Sequence, residues 1–265
     1  MHRARVMPCL LLRNAGLVKT VTFADPTYLG DPINAVRIFN EREVDELVVL
    51  DIEASAKHRE PPFALIEELA GECFMPLTYG GGVQTVEQME RIFRLGVEKI
   101  CINTAAIENP QLVAEASSVF GSQSIVVSID VKRNFWGAYQ VLTNARSSAT
   151  RENPIEMAIR MADLGAGEIF LNSVDRDGTM KGYDIDLIAS VTSSVSVPVI
   201  ACGGAGSLLD VAAAVRQGGA SAAAAGSMFV FHGKHRAVLI SFPEPSELAA
   251  TLPDDPDDFA AERAA

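Results

Sequence analysis

The sequence predicts one (β/α)8 TIM barrel built from two half-barrel repeats, and two observations carry that prediction. The first is a recurrence of eight short apolar, β-branched-rich runs: RVMPCLLL, ELVVLDI, MPLTYG, EKICINT, SIVVSID, EIFLNS, VPVIACGG and ASAAAAGS. Helical patterns lie between them, as in DPINAVRIFNER (31–42), TVEQMERIFRLG (85–96), NPIEMAIRMADLG (153–165) and DIDLIASVTSS (184–194). Continuous apolar strands alternating with amphipathic helices mean a parallel sheet covered by helices. Eight such units fit a closed barrel better than a doubly wound open sheet.

The second observation is an internal repeat. FMPLTYGGGVQT (74–85) falls on SVPVIACGGAGS (196–207) at an offset of 122, and Glu46 falls on Glu168 at the same offset. The first strand falls on the fifth at an offset of 119, which sets Leu11 on Asp130. Asn103-Thr104 falls on Gly226-Ser227 after one inserted residue. A repeat of this length gives two halves of four β/α units each, about residues 1–122 and 123–242.

The composition suits one large core, with 48% apolar and 21% charged residues in a chain of 265. No apolar run reaches the roughly 18–20 residues that span a bilayer, so no membrane partner is expected. The start, MHRARVMPCLLLRN, lacks a small-residue cleavage site and reads as a first strand rather than a signal peptide. Net charge is −12, and the stretch from Pro243, with seven acids and one Arg, supplies −6 of it. That stretch, 243–265, reads as a solvated, disordered tail. The body is only mildly acidic, which argues against nucleic acid as a partner. Cys9, Cys73, Cys101 and Cys202 have no metal-ligand spacing. They are expected to be buried, reduced thiols of a cytoplasmic protein, and neither a metal nor a cofactor is expected.

Ligands of this fold bind at the C-terminal ends of the strands. Gly80-Gly81-Gly82 follows the third strand and Gly203-Gly204-Ala205-Gly206 the seventh. Glycines before a helix let the backbone approach a phosphate. The pairs Asn103-Thr104 and Gly226-Ser227 follow the next strand of each half, so each half builds one phosphate cradle. Two cradles across one mouth suggest a small molecule phosphorylated at both ends. No Walker A or dinucleotide fingerprint is present, since HGKH lacks its upstream glycine.

Asp51, Asp130 and Asp175-Arg176-Asp177-Gly178 end or follow the second, fifth and sixth strands. Asp130 closes an apolar run and should face the mouth partly desolvated, a setting that raises a carboxylate pKa and suits a general acid or base. Acid–base chemistry generally needs two groups in different roles. The repeat mate of Asp130 is Leu11, which cannot move a proton.

The segments DELVVLDI, YGGGVQT, INTAAIENP, FGSQSIVVSIDVKR, GAGEI, DRDGTMKGYD and VIACGGAG resemble the cyclase subunit family of imidazole glycerol phosphate synthase, from histidine biosynthesis. The resemblance covers about residues 4–230. It implies a heterodimer with a glutaminase docked at the barrel's bottom face. Ammonia would cross the interior to a doubly phosphorylated ribulosyl substrate at the top. By the same resemblance Gly82, Asn103 and Thr104 match one phosphate site, and Asp177, Gly178, Gly204, Gly226 and Ser227 the other. Lys19 matches a mobile-loop lysine over the substrate. Asp130 matches one catalytic aspartate, and Leu11 stands where the family has the second, with Asp51 or Asp177 as candidate substitutes. Arg5, Glu46, Lys99 and Glu168 match a ring of charges that gates the ammonia channel. A plug of ion pairs that only stabilises the barrel bottom is the alternative for that ring.

CLLL, REPPF and the closing FVFHGKHRAVLISFP resemble most a cyclase-like subfamily of surface-polysaccharide pathways. There a glutaminase paralogue and a sugar amidotransferase are the implied partners, and ammonia serves glycosyl amidation. Two functions therefore stay open: an ammonia-conducting subunit with impaired cyclase activity, or a working lyase of histidine synthesis. A phosphosugar isomerase of the related half-barrel group is a weaker third, because that group needs an aspartate in each half. His232 and His235 read as surface residues or a docking element. Trp136, in RNFWGAYQV, reads as a packed hairpin residue or a lid.

Overall fold

The computed structural model describes residues 4–143, 148–150, 152–233 and 235–252. The first half contains β1 (Arg5–Arg13), β2 (Gly16–Val21), β3 (Ala24–Gly30), α1 (Pro32–Glu41), β4 (Leu47–Asp51), α2 (Phe63–Glu72), β5 (Leu77–Gly80), α3 (Val86–Arg94), β6 (Lys99–Ile102), α4 (Thr104–Glu108) and α5 (Gln111–Phe120). The second contains β7 (Ile125–Arg133), β8 (Tyr139–Thr143), β9 (Ser148–Ala149), α6 (Pro154–Asp163), β10 (Glu168–Ser173), α7 (Ile185–Thr192), β11 (Val199–Cys202), α8 (Leu208–Arg216), β12 (Ala222–Ala225) and α9 (Ser227–Val230). A small hairpin, β13 (Phe231–His232) and β14 (Ala237–Val238), and α10 (Pro245–Thr251) complete the described chain.

Eight strands close on themselves in the order β1-β4-β5-β6-β7-β10-β11-β12, all parallel. They are the eight runs read from the sequence, so the predicted barrel is the observed one. Each strand is buried on both faces. Outward residues such as Leu10, Val49, Val127 and Leu171 join the helices in one core, while Met7, Cys9, Val48, Cys101, Val126, Phe170 and Ile200 fill the barrel interior. This double burial is why the strands read as unbroken apolar runs. The helices carry ordinary start signals. Thr85 accepts the Gln88 N–H at 3.3 Å, Asn153 caps α6 ahead of Pro154, and Ser207 and Asp210 form a capping box on α8.

The two halves echo each other beyond the barrel wall. β1 and β7, nine residues each, run past the barrel and fold back as antiparallel hairpins at Arg13↔Gly16 and Arg133↔Tyr139. Trp136 sits at the second hairpin's tip and is 87% exposed, edge-on to Phe135 at 5.5 Å, so it is a hairpin residue without core packing. All four cysteines are free, and Cys9 and Cys101 are buried.

The stretch from Pro243 departs from the expected disorder over its first part. Residues 245–251 form α10, Leu248 and Leu252 are buried, and the Phe242 ring packs 5.0 Å from Phe229. Burial of these apolar groups outweighs the local negative charge. Arg42 pairs with Glu244 at 2.7 Å, and Arg216 donates to the Thr251 carbonyl at 2.9 Å. The Asp-rich end, 253–265, lies outside the described residues. Among the described residues no helix is long and apolar enough to cross a membrane.

Candidate active site

A cavity of about 340 Å³ opens at the C-terminal end of the barrel. Leu11, Lys19, Gly82, Asn103, Thr104, Asp130, Asp177, Gly178, Gly204, Gly226 and Ser227 all line it. The residues matched to the two cradles, the loop lysine and the two aspartate positions therefore meet at one mouth, whereas Asp175, Arg176 and Gly206 do not line it. Among the described residues no cluster of His, Cys, Asp or Glu is arranged to hold a metal ion.

Asp130 points inward from β7 and accepts a hydrogen bond from Asn172 Nδ2 at 3.0 Å. Burial pushes its pKa up to about 6, against the Asn172 bond, and the charge of Asp177 adds to the rise. Its folded pKa thus lies above the ordinary 3.8. The folded chain keeps a proton that the unfolded chain loses first, so this group's contribution to stability is full below pH 3.8 and gone above pH 6. Asp130→Asn is expected to gain about 3 kcal/mol over the wild type at pH 8 and little at pH 4. Urea denaturation at the two pH values checks this, and equal gains at both would contradict it.

Leu11 and Asp130 occupy matching places with opposite chemistry. In strand register Asp130 faces Asn172, whereas Leu11 faces Leu50. A hydrogen-bonded polar pair in the second half is thus an apolar pair in the first. Sequence reasoning passed over Asn172 because a strand asparagine carries no motif. Its signal was available, since Asn172 is the repeat mate of Leu50 at the offset of 122.

The other carboxylates at the mouth are all engaged. Asp51 Oδ1 accepts the Glu53 and Ala54 N–H groups, each at 3.0 Å, with Arg59 at 3.6 Å. Glu53 pairs with Arg13 at 2.8 Å and Lys57 at 2.6 Å. Asp177 holds Lys19 Nζ at 2.6 Å and the Thr20 hydroxyl at 3.0 Å. Lys19, expected in a mobile loop, lies buried in β2. The reason is backbone geometry: Asn14-Ala15 and Thr22-Phe23 all have positive φ and make tight two-residue turns, so the segment folds into paired strands. The Thr22 N–H closes the contact on the Asp177 carbonyl at 2.8 Å.

Each glycine cradle is shaped by close approach. A Cβ on Gly178 would stand 2.2 Å from the Thr20 carbonyl, and one on Gly226 would stand 2.9 Å from Lys19 Cε. At the first cradle Gly82 donates to Ser55 Oγ at 3.3 Å, and Asn103 Nδ2 donates to the Ser128 carbonyl at 2.9 Å.

At the opposite end Arg5, Glu46, Lys99 and Glu168 close a ring of alternating charge. Arg5 bonds Glu46 through one guanidinium nitrogen and Glu168 through the other at 2.5 Å. Lys99 Nζ reaches Glu46 at 3.0 Å and Glu168 at 3.1 Å. Thr78 donates to the remaining Glu46 oxygen at 2.7 Å. Burial acts to lower the Arg5 pKa, but attraction to Glu168 and then Glu46 outweighs it and holds the guanidinium above its ordinary value. The four residues predicted at the strand starts are therefore in mutual contact. His232 and His235 are exposed.

Comparison with known proteins gives the same frame. The histidine biosynthesis protein family matches residues 5–236. A Pseudomonas aeruginosa protein provisionally named imidazole glycerol phosphate synthase subunit hisF2 is 56% identical over 94% of this chain and 99% of its own length. A Vibrio vulnificus protein provisionally named subunit hisF3 is 50% identical over 95% of this chain and 97% of its own. The imidazole glycerol phosphate synthase subunit HisF of Alkaliphilus metalliredigens is 42% identical over 86% of this chain and 90% of its own. With the barrel, the paired cradles and the charged ring on one chain, this protein belongs to the histidine biosynthesis family, in its HisF branch.

Proposed function

We propose that this chain is the cyclase-like barrel subunit of a glutamine amidotransferase complex. A glutaminase docks at the bottom face, and ammonia passes the Arg5–Glu46–Lys99–Glu168 ring and rises through the barrel. Its own ring-closing chemistry is impaired by Leu11, and the ammonia serves a sugar amidotransferase that amidates a glycosyl or nucleotide-sugar acceptor. The observation that carries the reading is the isolation of Asp130. Every other carboxylate lining the mouth is bound to a cation or to backbone N–H groups, and the position across the repeat is leucine. A lone acid–base group is a poor cyclase but no obstacle to a conduit. The two cradles are read as sites for a phosphorylated small molecule, Gly82, Asn103 and Thr104 forming one and Asp177, Gly178, Gly204, Gly226 and Ser227 the other.

One observation favours the runner-up, a working cyclase of histidine biosynthesis. Asp130, with a pKa of about 6, shares its cavity with both cradles. The Leu11→Asp comparison below separates the two.

The docking face has its own test. Phe74 precedes β5 at the bottom rim and is 87% exposed, with its N–H held by Asn40 Oδ1 at 3.0 Å. A fixed, exposed aromatic suits a partner's apolar pocket. Phe74→Asp is expected to weaken binding of the glutaminase subunit by about 30-fold, measured by calorimetry. Failure of the unmodified chain to bind any such subunit at micromolar concentration would overturn the reading.

A further inference from the structure

The second cradle has a cationic support that the top-face residues do not include. Arg236 lies in the turn between β13 and β14 with φ +52°, and its N–H closes that turn on the Gly233 carbonyl at 3.0 Å. A left-handed conformation is uncommon for a residue with a side chain and points to a local purpose. The guanidinium turns back to the barrel. Nη1 donates to the Gly178 carbonyl at 3.0 Å and Nη2 to Ser227 Oγ at 3.3 Å, while the group lies 4.5 Å from the centre of the Phe231 ring. Gly178 and Ser227 both line the cavity, so Arg236 stands directly behind them.

Three consequences follow from these contacts. A hydroxyl that accepts from Arg236 keeps its own O–H to donate elsewhere. The Gly178 carbonyl, whose lone pairs would repel an anion, is tied back. Both acceptors are neutral, so they leave the guanidinium charge uncancelled, whereas Lys19 and Asp177 neutralise each other at 2.6 Å. We propose that Arg236 is the positioning residue for a phosphate monoester at the second cradle. It sets the Ser227 hydroxyl to donate into the cavity and gives that cradle its net positive charge. The inference rests on the phosphate reading of the cradles.

The test is inorganic phosphate binding to the full chain, followed by ³¹P line broadening, with Arg236→Gly and Arg236→Lys beside the wild type. Glycine suits the left-handed turn, so the hairpin is kept while the cation is lost; melting curves confirm that the variant is folded. The wild type is expected to bind phosphate at both cradles. Arg236→Gly should bind one site as before and the other about tenfold more weakly, and Arg236→Lys should recover most of the loss. If the wild type binds no phosphate, the cradle reading itself fails. If the wild type binds two and Arg236→Gly binds both unchanged, only the role of Arg236 fails. A lysine variant as weak as the glycine variant would remove charge from the explanation.

Discussion

Glu46→Gln is expected to cost the barrel about 3 kcal/mol of folding stability. Glu46 is 2% exposed and accepts from Arg5, Lys99 and Thr78 at once. Removing its charge leaves two cations sharing Glu168 alone, and an uncompensated charge in a buried site is worse than no charge. For a domain of this size that corresponds to a fall of roughly 6–12 °C in Tm, read by calorimetry. Replacing all four residues together by Leu or Met should restore most of the loss, because an apolar plug needs no desolvation offset. If the quadruple variant were stable yet passed ammonia as well as the wild type, the ring would be a stability device only. A Glu46→Gln variant within about 0.5 kcal/mol of the wild type would mean the ring contributes little even to stability.

That ring was legible through the family resemblance, which the position of each charge at or just before the start of an apolar run accompanied. The eight strands were legible from the residues themselves: burial on both faces leaves an unbroken apolar string. The β1–β2–β3 hairpins were not. Their two-residue turns use Ala15, Thr22 and Phe23 at positive φ instead of the Asn-Gly or Asp-Gly pairs that announce such turns, so nothing in the sequence set the strand against the loop that the resemblance implied for Lys19. α10 was hidden by composition, since seven acids from Pro243 onward masked three spaced apolar anchors at Phe242, Leu248 and Leu252. Arg236 was hidden because nothing in FHGKHRAV marks which basic residue turns inward.

The second large effect is on catalysis. With saturating ammonium salt and the doubly phosphorylated ribulosyl substrate, Leu11→Asp is expected to turn over at least about 10²-fold faster than the unmodified chain. The new carboxylate would stand in register with Leu50, across the mouth from Asp130, and supply the missing second proton carrier. Adding ammonia directly makes the result independent of any glutaminase. Turnover by the unmodified chain at an ordinary enzymatic rate of about 1–10³ s⁻¹ would make it a working cyclase with an unusual acid. The introduced aspartate faces an apolar neighbour, so its activity should peak at a higher pH than a solvated carboxylate would give.

The segment from Phe242 to Leu252 bears on how the cylinder stays shut. A barrel's first and last units meet along a seam that no loop bridges, and here strand pairing between β1 and β12 joins only its inner wall. On the outside, Glu244 grips Arg42 just past α1, and Thr251 takes Arg216 at the end of α8. The segment therefore works as a clasp laid across the seam. Because α8 follows β11, the seventh barrel strand, the segment covers the seam by spanning from the seventh unit to the first, and trimming before Pro243 would leave that seam closed by its inner wall alone.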